Sequence, residues 1–426
     1  MKIITYDEFQ LNGKSSDMDK YREIDEIVLN IIKNVQHKGD KALFQYAQKF
    51  DRVTLDHLIV ETEEFEEAEQ LVNDEFKKAI EVAANNIREF HQHQVENSWF
   101  FHKENGITLG QQVTPMDRVG IYIPGGKAAY PSTVLMNVIP AKLAGVPEIF
   151  IATPPQEDGK INPHVLYTAK FVGVNRIYKM GGAQAIAAFA YGTETVPKVN
   201  KIVGPGNDFV ARAKKWVFGD VAIDMIAGPS EICVVADETA PAHYVAADLL
   251  SQAEHDEAAT SICITTSKEL AQNIANEVER QLKQLPREKI ARTSIEQNGK
   301  IVVTENLEQA FQLVNEIAPE HLQLMLQNAL EYIEQVKHAG AIFIGNYSPE
   351  PLGDYVAGPN HTLPTSGTAK FASPLGVYDF MKKSSIIHYS ESALQKEAQY
   401  IETLANMEGL EAHANSISIR KEKEEG

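Results

Sequence analysis

Cysteine is almost missing: the 426 residues hold two, Cys233 and Cys263, each inside an apolar run. A disulfide framework and a thiolate zinc site are thereby excluded, and the expected compartment is the reducing cytoplasm. Basic residues are scarce too, 40 against 59 acidic ones, for a formal charge of −19. So negative a surface repels phosphate backbones, and no local basic patch offsets it, so nucleic acid is not an expected partner. No apolar run is long enough to cross a bilayer, and the opening MKIITYDEFQ lacks the charged-then-apolar pattern of a secretion signal, so no membrane is expected either. The dinucleotide fingerprint G-x-G-x-x-G is absent, as are solenoid repeats and low-complexity tracts beyond the terminal KEKEEG, which is expected to fray. What remains is ordinary globular composition, 43% apolar and 23% charged, at a length suited to about three compact units.

Helical spacing dominates the first hundred residues. Ile24, Ile27, Val28, Ile31 and Ile32 form one stripe, Gly39 breaks it, and Ala42, Leu43 and Tyr46 resume it. Glu61 to Gln94 reads as one long, acidic amphipathic stretch. From about Val119, β-branched runs alternate with helical patterns: GIYIPGG, EIFIATPP, RIYKMGG and KIVGPG, then EICVVAD, SICITTS, KIVVTEN and AIFIGN. Such alternation predicts parallel sheets joined by right-handed crossovers. The expected fold class is α/β, with two Rossmann-like parallel-sheet domains and small helical segments at both ends. The expected boundaries are an N-terminal segment at 1–20, a discontinuous domain at 21–118 and 230–380, a second domain at 119–229, and a C-terminal segment at 381–426.

In open α/β sheets ligands sit beyond the carboxyl ends of the strands. Attention falls on PGG (Pro124 to Gly126), GGAQ (Gly181 to Gln184) and GPGN (Gly204 to Asn207). Glycine there lets backbone approach a ligand closely, and helix-start amides bind phosphate. Each alone is equally an ordinary tight turn; three in succession favour a nucleotide-sized ligand.

Four segments carry ionisable groups. In DLLSQAEHD, Gln252 and His255 stand three apart in a helical pattern, so they share a face and can ligate one metal, although such pairs are commonly surface decoration. In APEHL, Pro319 pushes Ala318 out of helical geometry, and Leu322, Leu324 and Leu326 then alternate as in a strand. Glu320 and His321 at this helix-to-strand junction suit a general-base pair near neutral pH, with a surface Glu–His as the plain alternative. The loop from Gly353 to Gly367 offers Asp354 as an oxygen ligand and His361 as a polar contact, or is merely structural. The tail MEGLEAHAN holds Glu408 and His413, by themselves no more than a polar end. A His-rich, Cys-free set with one Asp suits catalytic zinc better than structural zinc.

LLSQAEH, APEHL, GDYVAGPNHTLPT, AGPSE, VGIYIPGG, GGAQAIA, GPGN and EGLEAH together resemble the histidinol dehydrogenases, over about residues 20 to 418. The resemblance implies oxidation of L-histidinol through L-histidinaldehyde to L-histidine, with two NAD and one zinc ion per active site, as the last steps of histidine biosynthesis. It implies Gln252, His255, Asp354 and His413 as zinc ligands and Glu320 and His321 as catalytic bases. Substrate contacts would be Ser230, His321, His361 and Glu408 besides the metal ligands, and NAD contacts Tyr122, Gln184 and Asn207. A homodimer is implied, in which the C-terminal segment of one subunit, with Glu408 and His413, completes the partner's site. Pro359 in GPNH and Asp256–Glu257 after QAEH depart from the usual pattern, and no implied ligand is missing. His321 is expected to take the alcohol proton and Glu320 to activate the water that adds to the aldehyde. Three alternatives stay open: a related zinc/NAD dehydrogenase of another primary alcohol, a zinc hydrolase, and a non-catalytic binding protein.

Overall fold

Both sets of β-branched runs form sheets. The computed structural model describes residues 1–11, 21–125 and 129–421; Gly126 of PGG and most of KEKEEG lie outside them. The first set makes a parallel sheet in the order Arg176–Lys179, Glu148–Thr153, Arg118–Tyr122, Lys201–Val203, Ala222–Ile223. The second makes another in the order Lys2–Thr5, Lys300–Val303, Thr260–Thr265, Glu231–Ala236, His321–Met325, Ala341–Ile344, parallel throughout. Leaving aside the edge strand Lys2–Thr5, each sheet runs 3-2-1-4-5 in its own chain order. That is the doubly wound order, whose switch point falls between the first and fourth strands. The Val-, Ile- and Ala-rich strands are buried because helices cover both faces. On the second sheet Ile232, Val234 and Cys263 pack under the helices Ala242–Ala253 and Lys268–Leu282, while Cys233, Val235 and Leu322 face the helix Leu307–Ile317. Cys233 and Cys263 are buried and free.

The expected boundaries shift in several places. The chain divides into two units: Met1–Gln94 with Met116–Phe380, and Val95–Pro115 with the chain from Met381 onward. The N-terminal segment expected at 1–20 is not separate, since Lys2–Thr5 extends the second sheet beside Lys300–Val303. The helices of residues 22–92, expected with the second sheet, pack instead on the first. The stripe Val28, Ile31, Ile32 and Val35 meets the alanine-rich helix Gly182–Tyr191, whose small side chains admit a close neighbour. Asp25 ties that layer down by accepting from the Arg212 guanidinium and, at 2.9 Å, from the Trp216 indole. The stretch Glu61 to Gln94 is two helices, Thr62–Leu71 and Asp74–Gln92, because Asn73 caps the second through its side chain, 2.8 Å from the Phe76 N–H. In the second unit Trp99–Lys103, Ile107–Pro115 and Met381–His388 form an antiparallel sheet, followed by the helices Glu391–Met407 and Glu411–Ser418. The expected helical tail is therefore preceded by a strand.

Candidate active site

The backbone turn before the strand His321–Met325 builds the centre of the site. Ala318, kept out of right-handed helical geometry by Pro319, ends the helix Leu307–Ile317 in the left-handed conformation (φ 51°, ψ 62°). Strand pairing then sets His321 opposite Ile232, so the backbone of one residue, Glu231, serves two neighbours. The Glu231 N–H donates to Glu320 Oε2 at 2.8 Å, and the Glu231 carbonyl accepts from His321 Nδ1 at 3.0 Å. A carbonyl only accepts, so Nδ1 carries the proton and the His321 Nε2 lone pair is free. Nε2 lies 3.7 Å from Glu350 Oε1.

Glu350 comes from the short helix Glu350–Tyr355, one turn before Asp354. Residues Gly353 to Tyr355, expected in a long loop, therefore belong to a helix, whose i, i+4 spacing puts two carboxyls side by side. Those carboxyls lie close together, with a ligand atom of each within 4.8 Å of the other, and the Gln252 side chain is beside Glu350. Burial pushes both carboxyl pKa values up; the Asp354 charge adds to the rise at Glu350, whereas Glu350 opposes it at Asp354. The Ser251 hydroxyl also donates to Glu350, at 3.2 Å. Burial likewise holds Glu320 well above the carboxylate range, with Glu231, Asp354 and Glu350 adding to the rise. His321 and His361 are pushed down to about 4, first by burial and then by neighbouring imidazoles, His255 among them. His361 donates from Nδ1 to the Asp354 carbonyl at 3.1 Å and accepts at Nε2 from the Thr133 hydroxyl at 3.3 Å. It is a neutral, satisfied imidazole.

Gln252 lies in the last turn of the helix Ala242–Ala253, and His255 just beyond it, its N–H donating to the Gln252 carbonyl at 3.1 Å. The two are thus not on one continuous helix. His255 is exposed and lines a cavity of about 410 Å³ with Tyr130, Arg287 and Tyr355. Ser230 is half-buried, directly before the strand Glu231–Ala236. Glu408 and His413 belong to the second unit, at the end of the helix Glu391–Met407 and within the helix Glu411–Ser418, both exposed.

Three donor atoms, from His321, Glu350 and Asp354, lie within 4.8 Å of one another. Glu350 was not among the expected residues; the signal for it was E-x-x-x-D in EPLGDY, with Pro351 able to start a helix. Asp248 was also missed: it accepts from Gln323 Nε2 at 2.8 Å, with its pKa raised by burial to about 6. The donor set fits a hard or borderline divalent cation. Gln252 Oε1 and Glu350 Oε1 are buried with no hydrogen-bond partner, which is costly unless something fills the gap. A carboxyl pair that shares a proton here can exchange it for a cation.

At the first sheet, Tyr122, Gln184 and Asn207 all line one cavity of about 1240 Å³, together with Gly125, Gly181 and Gly182. It lies at the carboxyl ends of the strands, by the switch point. Gly182 (φ 61°) opens a helix there, and its N–H donates to the Tyr122 hydroxyl at 3.0 Å. Asn207 caps the helix Asp208–Val217. A buried ion pair, Lys214 with Asp224, fixes the GPGN turn: Lys214 Nζ donates to the Gly204 carbonyl at 3.0 Å, and Asp224 accepts from the Gly204 N–H at 2.8 Å. Gly204 (φ 110°) admits no side chain, because a Cβ would stand 2.1 Å from the Tyr122 carbonyl oxygen.

Two doubly wound sheets, one facing a large cavity and the other a cluster of buried acids and imidazoles, define an α/β protein with two separate candidate sites. The family model described as histidinol dehydrogenase matches residues 14–421. The histidinol dehydrogenase of Oceanobacillus iheyensis is 58% identical over 415 residues, 97% of each chain, and that of Halalkalibacterium halodurans is 54% identical over 425 residues, 100% of each. The crystal structure of histidinol dehydrogenase from Elizabethkingia anophelis superimposes with a TM-score of 0.92 at 41% identity, covering 99% of this chain and 98% of that one. The chain belongs to the histidinol dehydrogenase family, whose members are oxidoreductases.

Proposed function

We propose that the protein oxidises L-histidinol to L-histidine through bound L-histidinaldehyde, with zinc and two NAD per turnover, at the cluster around His321. The observation that carries this reading is the pairing of His321 and Glu320 on the backbone N–H and carbonyl of the one residue Glu231, facing the Glu350–Asp354 carboxyls. Gln252, His255 and Asp354 would hold the zinc, with His413 contributed by the partner of a homodimer and Glu350 within reach of the same place. Bound there, the metal would supply a Lewis-acid anchor for the substrate's amine and imidazole. NAD in the large cavity, against Tyr122, Gln184 and Asn207, would supply the hydride acceptor.

The remaining work falls to this chain's own groups. His321, protonated at Nδ1 and neutral, takes the alcohol proton at Nε2. Glu320 keeps Oε2 on the Glu231 N–H and uses Oε1 to accept a proton from the water that adds to the aldehyde. Its raised pKa makes it a stronger base than a solvated carboxylate. His321 takes the hydroxyl proton again in the second oxidation. Ser230, His361 and, across the dimer, Glu408 orient the substrate. The low-dielectric surroundings retain the reactive aldehyde. The free, buried cysteines fit a cytoplasmic setting.

Purified protein supplied with zinc, L-histidinol and excess NAD should form two NADH per L-histidine. Turnover without NAD would favour a hydrolase, and indifference to histidinol a dehydrogenase of some other primary alcohol.

A further inference from the structure

The large cavity at the first sheet also holds a carboxyl group with no part in the proposed proton chemistry. Asp51 ends the single π-turn Ala47–Asp51 of the N-terminal helical layer and lines the cavity opposite the strand ends. Its Oδ2 is buried and has no hydrogen-bond partner. A buried carboxylate oxygen left unpaired is costly, so this one awaits a donor. Burial lifts the Asp51 carboxyl to about 6, which still leaves it mostly ionised at neutral pH. It is close enough to Tyr122 for its charge to bear on that phenol.

In doubly wound folds the acid that accepts from the adenosine ribose hydroxyls follows the second strand. Here the second strand, Glu148–Thr153, runs into Pro154 and Pro155, which carry no donor or acceptor side chain. The acids after them, Glu157 and Asp158, also line the cavity but are exposed, and Asp158 already accepts from the Lys160 N–H at 2.9 Å. Solvated carboxylates discriminate weakly. The unpartnered, water-shielded acceptor comes instead from the helical layer laid over this sheet.

We propose that Asp51 accepts a hydrogen bond from the adenosine ribose diol of NAD and excludes the 2′-phosphorylated dinucleotide. This rests on the reading that the large cavity holds NAD. Of the two riboses the adenosine one is assigned because Ala129 lines both this cavity and the smaller one containing His255. On this proposal the nicotinamide end points that way, toward the imidazole cluster, and the adenosine ribose is left to Asp51. A 2′-phosphate would set two negative charges together where little water screens them. The exposed Lys49 ammonium is the nearby cation such a phosphate would use once Asp51 is neutralised.

The test is calorimetric binding of NAD and NADP to the zinc-loaded protein, without substrate. Wild type should bind NAD more tightly. Asp51→Asn, nearly isosteric, should weaken NAD on the order of 10-fold and shrink the preference over NADP by at least that factor. Glu157→Gln should change neither, and thermal melting establishes that each variant is folded. If Asp51→Asn preserves both NAD affinity and preference while Gln184→Ala weakens NAD, Asp51 has no such role and the cavity assignment stands. If Gln184→Ala also leaves NAD binding unchanged, the cavity assignment itself fails and takes the Asp51 proposal with it.

Discussion

The two parallel sheets share a strand order and use opposite ends. At the first, the cavity opens beyond the strands' carboxyl ends, where the helices Gly182–Tyr191 and Asp208–Val217 begin. At the second, Glu320, His321 and Glu231 sit where strands begin, and the helix Ala242–Ala253 delivers Gln252 by its C-terminal end. The difference is electrostatic. Helix starts present N–H groups and partial positive charge, suited to phosphates; helix ends present carbonyls and partial negative charge, suited to cations. On the proposed reading, one topology yields a polyanion site built mostly from backbone and a cation site built from buried acids. The rule that ligands lie beyond carboxyl strand ends matches the cavity of the first sheet, whereas the acid and imidazole cluster of the second lies at the opposite edge.

If proton chemistry is confined to the second sheet, His321→Asn should slow both oxidations by about 10²–10⁴-fold, whereas Glu320→Gln should slow mainly the conversion of supplied aldehyde to acid. Undiminished aldehyde oxidation in Glu320→Gln would remove it as the water base. At the first sheet, Lys214→Met leaves Asp224 buried without its partner and frees the GPGN turn. It should lower stability by about 3–5 kcal/mol in denaturant titration and weaken NAD binding, with zinc content unchanged. Zinc loss in that variant would mean that the two ends are not independent.

A third contrast is in pH response. His361 has its pKa lowered to about 4 by burial, so between the ordinary imidazole value and 4 the unfolded chain binds a proton that the native state refuses. Its neutral, hydrogen-bonded state favours folding above about 6.5, and that contribution is lost as pH falls toward 4. Metal-free His361→Gln should therefore lose less stability over this window than metal-free wild type, by on the order of 2–3 kcal/mol. An identical acid profile would contradict a neutral buried His361. The smallest effect expected is on the metal: Glu350→Gln should weaken zinc about 10–100-fold, measured by competition with a chelator, while NAD affinity is unaltered.

Both sheets were legible in the chain, because β-branched runs between helical patterns leave few other architectures. The cavity at the first sheet was legible as well, since glycines at strand ends announce a backbone open to close approach; Gly182 and Gly204 do adopt positive φ, and Tyr122, Gln184 and Asn207 line the cavity. Glu320 and His321 were placed correctly at a helix-to-strand junction because Pro319 dictates the break. Glu350 escaped notice because Pro and Gly in EPLGDY mark a loop, while here Pro351 sits in a helix's first turn and Gly353 packs against the Phe343 ring. The attachment of the N-terminal helices to the first sheet was hidden too. An apolar stripe says that a helix is covered, not which of two similar sheets covers it.

The proposed chemistry requires a cation at the amino edge of the second sheet. Crystals grown with zinc and measured at its absorption edge test this directly. The predicted anomalous peak lies within bonding distance of Asp354 and Gln252, beside Glu350 and His321. A fully loaded protein whose peak lies away from these side chains would contradict it.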